Sequence, residues 1–251
     1  MINKKCIAII LLAMVAGLYS ISLYKDYSAA QVIEDTQAAL VAETTNQAKT
    51  IEAKIANKIS LLKFLLSTPP VMGITRALKN NGIDAEDNTT LEQWQQRLSI
   101  IFQSLIENDA DLMQLRIILT EDKGQEFLRV DRNGGKVIRV PETRLQNKKR
   151  EPYYPYASTL ESGEIYVSPI NLNVEYNKIA YPLQPTYRLA VPIFYIDGVE
   201  RLGFLIMNVN AASILSELES HPSLVDALWL LDEDGYFIYH ENKDLRFTRQ
   251  L

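Results

Sequence analysis

Residues 186–210 read TYRLAVPIFYIDGVERLGFLIMNVN. Two apolar runs, Thr186–Tyr195 and Leu202–Asn210, flank Ile196-Asp197-Gly198. Asp and Gly tolerate the backbone angles of a tight turn, so the stretch predicts two antiparallel strands joined as a hairpin. Upstream, Met113–Thr120 and Gln125–Arg132 flank Glu121-Asp122-Lys123-Gly124 and predict a second hairpin. Asn133-Gly134-Gly135 turns again into Lys136–Val140. Glu164–Ile170 and Glu175–Ala180 are further strand candidates, while residues 144–160 are mixed, with Pro152 and Pro155 limiting any helix.

Ahead of the strands the period changes. Val41, Thr44, Ala48, Ile51, Ile55, Ile59, Leu62 and Leu66 recur every three or four residues, which is one face of a helix. No Gly or Pro interrupts residues 31–68, and Pro69-Pro70 ends the run. Such a helix would extend roughly 50 Å at about 1.5 Å per residue. It reads as a stalk packed on one sheet, pairing with a second copy, or both along different parts. After a polar loop at Asn80–Asn88, a second helix is expected over Thr90–Asn108, capped by Thr89 or Thr90. Its Leu91, Trp94, Leu98, Ile101, Phe102, Leu105 and Ile106 fall on one side. Two long helices before an antiparallel sheet read as α+β.

The N-terminus points to a membrane. After Lys4-Lys5, the 19 residues Cys6–Tyr24 carry no charge, which just suffices for a helical span. The leading lysines place the N-terminus in the cytoplasm and residues from about 25 onward outside it. Ser28-Ala29-Ala30 offers a rival reading as a signal-peptide cleavage site. The length of the apolar run, and Lys25-Asp26 before the small residues, favour an uncleaved anchor.

Composition excludes several classes. With 26 basic and 31 acidic residues the net charge is −5, which argues against nucleic acid as a partner. One cysteine and two histidines leave no zinc site of the usual Cys/His kind, and no metal or cofactor is expected. The 13 tyrosines include a group at 153, 154, 156, 166, 176, 181 and 187.

An internal echo organises the C-terminal end. IILTEDKGQEFLRV (117–130) and WLLDEDGYFIYH (229–240) are each apolar strand, acidic turn with Gly, apolar strand. Ala211–Leu218 reads as a helical connector between them, so a second unit is expected from near Leu224. The residues left supply one hairpin, and an isolated hairpin is marginal in water. The chain therefore reads as the front part of a longer protein, ending in mid-fold. The expected divisions are 1–24 tip and span, 25–68 stalk, 69–218 first sheet domain and 219–251 an incomplete second one.

This order of elements resembles the double Cache sensor, two PAS-like modules in tandem outside the membrane of bacterial sensor histidine kinases and diguanylate cyclases. The resemblance is carried by GEIYVSPINLNVEYNKI (163–179), PLQPTYRLAVPIF (182–194) and GFLIMNVNAASIL (203–215), with EFLRVDR (126–132) and LQNKKREPYY (145–154) upstream. It implies a PAS-like sheet, a ligand-sensing input role without catalysis, a homodimer through the stalk, and a kinase or cyclase output beyond the C-terminus.

Within that frame five residues stand out. Arg129 and Arg188 each interrupt an apolar or aromatic strand. A buried guanidinium needs either a protein carboxylate or an anionic ligand, and its planar fork suits a carboxylate. For these arginines the alternatives are a pocket for a small organic acid or amino acid, a salt bridge with a residue such as Glu126, Asp131 or Glu175, or a solvated strand face. Tyr154 and Tyr166 could line such a pocket or pack in the core. Asn208 could bond a ligand or cap a loop. Asp232-Glu233-Asp234-Gly235 reads as a turn, since the first position of a calcium loop would be Leu230. A membrane-anchored interaction module without a small ligand is the competing function, and a sheet face filled by side chains would favour it.

Overall fold

The computed structural model describes residues 4–121, 123–176, 178–220 and 228–251, with residues 4–11 and Ser220 described in backbone only. Among the described residues, 4–50 belong to one compact unit and 51–251 to another. The first helix, α1 (Lys4–Leu66), supplies all the described residues of the first unit. There Leu12, Val15, Leu18, Ile21 and Leu23 are exposed. Among the described residues no helix is long and apolar enough to cross a membrane; part of the Cys6–Tyr24 run has no described side chains.

In the second unit, the last turns of α1 bury Leu62 and Leu65, with Ile51, Ile55 and Ile59 packed against the core. The periodic face read from the sequence is thus the packed face here. Pro69-Pro70 stops α1 and also opens α2 (Pro69–Lys79), because proline is pre-organised for a first helical turn. The apolar periodicity of the sequence does not mark this helix separately. α3 (Leu91–Asn108) begins at a capping box, in which the Thr90 hydroxyl accepts from the Gln93 N–H and the Gln93 side chain accepts from the Thr90 N–H.

The strands follow. β1 (Leu112–Leu119), β2 (Gln125–Asn133) and β3 (Lys136–Arg139) form a meander. A single helical turn, α4 (Tyr154–Ala157), precedes β4 (Tyr166–Val167) and β5 (Asn171–Leu172). Next come a small hairpin, β6 (Val174–Glu175) and β7 (Lys178–Ile179), and the two long strands β8 (Pro185–Phe194) and β9 (Arg201–Asn210). The antiparallel sheet runs β3-β2-β1-β9-β8-β4, with β5 also on β8. The two hairpins expected from the sequence are therefore adjacent through β1 and β9. They approach closely: a Cβ at Gly203 would lie 2.0 Å from the Ile118 carbonyl oxygen.

Two strand expectations need correction. Glu164–Ile170 pairs with β8 only at Tyr166 and Val167. Glu175–Ala180 is not one strand: Tyr176 sits at φ 51°, in the left-handed region, and the chain doubles back as β6–β7.

Alternation divides the sheet into two faces. Leu115, Ile117, Leu128, Val130, Leu189, Val191, Leu205 and Met207 pack with Ile74, Leu98, Phe102 and Ile106 of the helices. The other face carries an apolar patch of Ile118, Ala190, Phe204 and Ile206 under Tyr153 and Ala157, and beside it a polar region. After β9, α5 (Ala212–Ser220) takes the place of the expected connector. β10 (Leu230–Leu231) and β11 (Phe237–Tyr239) form the last hairpin, and Ile238, Tyr239 and Phe247 are buried with Leu172, Leu215 and Leu218. The expected start of a second module, near Leu224, lies outside the described residues.

Candidate ligand-binding site

Strand register builds the polar region. Gln114 of β1 lies opposite Asp131 of β2 and Asn208 of β9, and Asn208 lies opposite Arg188 of β8. Because side chains directly opposite share a face, the four form a row across four strands. The row is polar on a face that is otherwise covered.

Arg188 ends the row. It is 6% exposed, and its Nη1 donates to the Asn171 Oδ1 at 2.7 Å. Its backbone N–H donates to the Ser168 hydroxyl at 2.8 Å, and its guanidinium lies 5.7 Å from the Tyr153 ring centre. Among the described residues it forms no ion pair. Burial lowers its pKa from the ordinary value and the nearby Arg116 charge adds to this, while Tyr153, Glu151 and Glu175 oppose it.

The guanidinium borders a cavity of about 470 Å³. Tyr153, Tyr156, Tyr166, Ser168 and Asn171 share its wall, with Glu151 and, from the C-terminal hairpin, Glu233. Tyr156 and Tyr166 are stacked 5.7 Å apart with rings 7° from parallel. Tyr153 is 4% exposed, and among the described residues its hydroxyl has no hydrogen-bond partner. An orphaned buried hydroxyl costs roughly 1–3 kcal/mol, and an unpaired buried cation costs more. Both line one cavity, which suits an anionic group with acceptor oxygens.

Of the sequence candidates, the fold brings Arg188 and Tyr166 to this cavity. Arg129 is elsewhere on the same face and has carboxylate partners in the protein. Its Nε donates to Asp131 at 2.7 Å, and its Nη1 approaches Glu126 at 3.4 Å and Glu175 at 3.1 Å. These are the three acidic residues named for the salt-bridge alternative. Tyr154 packs against Phe204, ring centres 5.9 Å apart, and is outside the cavity wall. Asn208 donates to the Gln114 Oε1 at 2.8 Å, and its own Oδ1 has no partner among the described residues. Tyr153 and Asn171 are among the cavity residues that the sequence does not single out, with Tyr156, Ser168, Glu151 and Glu233. Tyr153 stood in the tyrosine group, but nothing in its spacing separates it from Tyr154.

Among the described residues no group of three or more His, Cys, Asp or Glu side chains could hold a metal ion. Known proteins resemble the chain at the level of fold. The extracellular domain assigned to a histidine kinase, vpHK1S-Z8, superposes with TM-score 0.67 at 19% identity, over 88% of this chain and 74% of that one. A domain assigned to a sensory box/GGDEF family protein of Vibrio parahaemolyticus gives 0.64 at 23% identity, over 87% and 76%. The periplasmic sensory domain of the Campylobacter jejuni chemoreceptor Tlp1 gives 0.50 at 15% identity, over 83% and 73%. No curated protein matches the chain. The family model described as "Bacterial histidine kinase, sensor domain" matches residues 75–251, from within α2 through the whole sheet to the last hairpin. The chain therefore belongs to the bacterial histidine kinase sensor-domain family.

Proposed function

We propose that the chain is the extracytoplasmic ligand-sensing input region of a membrane-bound receptor, and that it binds a small organic acid or amino acid in the Arg188 cavity. The observation that carries this reading is Arg188 itself: a buried guanidinium without a carboxylate partner, beside an unpartnered Tyr153 hydroxyl, on open volume. A ligand carboxylate would accept from both. Glu151 and Glu233 in the wall favour a ligand that also carries an ammonium group. The open cavity also weighs against an interaction module with a filled sheet face.

Cys6–Tyr24 would anchor the region in the inner membrane with residues from about 25 outside. The exposed apolar side chains of the first unit support that placement. α1 would pair with a second copy, and residues 219–251 would open a second PAS-like module. The output would be a kinase or cyclase.

The test is thermal melting of the purified full chain with small carboxylates, amino acids and their uncharged amides. A ligand that binds only the folded state raises the melting temperature by mass action. Carboxylates are expected to do so, amides not, and Arg188→Met is expected to abolish the effect. No shift with any carboxylate, or an equal shift in Arg188→Met, would overturn the assignment.

A further inference from the structure

Beside the Arg188 cavity, one carboxylate is delivered to the sheet by an element that is not part of the sheet. Glu175 stands on β6, which pairs with β7 and with no strand of the seven-stranded sheet. Its Oε1 accepts from Gln114 Nε2 at 3.0 Å and Arg116 Nη2 at 3.2 Å. Its Oε2 faces Arg129 Nη1 at 3.1 Å, Gln146 Nε2 at 3.0 Å and Lys148 Nζ at 3.5 Å. Five donors thus converge on one carboxylate. The three cationic side chains are 2–3% exposed, whereas that of Glu175 is 15% exposed. Burial alone would raise the Glu175 carboxyl, but Arg116, Arg129 and Lys148 outweigh it and hold it well below the usual carboxylate range.

The donors are fixed and the acceptor is on an arm. Arg116 and Arg129 are in β1 and β2, braced by Glu126 at 2.8 Å and Asp131 at 2.7 Å. The arm turns at Tyr176, and its exposed Lys178 lies opposite Glu175. Val174, next to Glu175, borders both the Arg188 cavity and a hollow lined by Lys149 and Arg150. Withdrawing Glu175 would leave Arg116 with Glu126, Arg129 with Glu126 and Asp131, and Lys148 with Glu151 at 3.2 Å, but would remove the one acceptor that all of these side chains share with Gln114 and Gln146. A carboxylate from another molecule in the same place would restore that shared acceptor.

We propose that Gln114, Arg116, Arg129, Gln146 and Lys148 form a second carboxylate-binding site whose resident occupant is the Glu175 side chain, so that a ligand carboxylate and the β6–β7 arm compete for it. This rests on the contacts of Glu175 and is independent of the reading of Arg188.

The test is chemical rescue. Glu175→Ala removes the γ-carbon and carboxylate, which together have the shape of acetate. The full chain carrying Arg188→Met, which silences the first cavity, is compared with the Arg188→Met/Glu175→Ala double variant. Melting is followed in about 100 mM sodium acetate and in sodium chloride of equal ionic strength. Acetate is expected to raise the melting temperature of the double variant by about 3 °C over chloride and to leave the single variant unmoved. If the double variant does not fold, Glu175→Gln, which keeps the side-chain volume, replaces Glu175→Ala in the same comparison. Acetate acting no better than chloride, or equally on both proteins, overturns the proposal.

Discussion

Arg188 Nη1 and Asn171 Oδ1 are 2.7 Å apart, and this neutral acceptor takes the place a carboxylate holds for every other deeply buried arginine of the sheet face. Arg116 has Glu126 and Glu175; Arg129 has Glu126, Asp131 and Glu175. Two buried guanidiniums of this face are thus neutralised within the chain, and the third borders a cavity.

The two arginines should accordingly respond in opposite ways to removal of charge. Arg129→Met strands Asp131 and part of Glu175, and is expected to cost about 3 kcal/mol of folding stability. Arg188→Met breaks no ion pair and should change stability by less than about 1 kcal/mol in either direction. Urea denaturation midpoints of the two full-length variants decide this; equal losses would show that Arg188 is structural.

Tyr153→Phe deletes a hydroxyl that has no hydrogen-bond partner among the described residues. Stability without ligand should hold or rise, because a buried desolvated group is removed. Affinity for a stabilising carboxylate should fall about tenfold, the effect of losing one hydrogen bond to a charged group. Titration calorimetry on both proteins measures it.

Acid should loosen the helical layer through Asp84. Its carboxylate is buried and accepts from Arg76 Nε at 2.8 Å and Nη2 at 2.7 Å, and from Trp94 Nε1 at 3.0 Å. The hydrogen bonds from Arg76 hold its pKa down to about 2, against 3.8 for the unperturbed group. A folded-state pKa below the unfolded one contributes stability that is present above about pH 4 and is lost as pH falls toward 2. Asp84→Asn should flatten that part of the stability–pH curve. An unchanged slope between pH 4 and 2 would remove Asp84 from the account.

Gly203→Ala should be among the most damaging single-methyl changes in the domain. The added Cβ would sit 2.0 Å from the Ile118 carbonyl oxygen and 3.0 Å from Leu119 Cα, and backbone cannot turn aside as a side chain can. Forcing β1 and β9 apart should cost about 3 kcal/mol or more, read as a lowered melting temperature. A wild-type melt would mean that the strands separate more easily than this packing implies.

Much of this architecture follows from local sequence patterns. The 3.6-residue period of Ile51, Ile55, Ile59 and Leu62 marks the packed face of α1, and a threonine at 89 or 90 marks the start of α3, where the structure selects Thr90. The Asp-Gly turn at 197–198 joined β8 to β9. Where the signal was weak, so was the reading: β6–β7 depends on a left-handed Tyr176, a conformation that tyrosine's chemistry does not announce.

The sequence by itself determined the α+β class, the pairing of neighbouring strands and the presence of two arginines that needed a negative partner, because periodicity, turn chemistry and the cost of a buried charge are local facts. Which arginine had its partner within the protein was decided only by tertiary structure. Glu126 is 10 residues from Arg116, but Glu175 is 59 away, and Asn171 reaches Arg188 across 17. Only strand register and the placement of the loops over one sheet face bring such residues together. Charge compensation in a buried cluster is a property of that arrangement, not of any stretch of sequence.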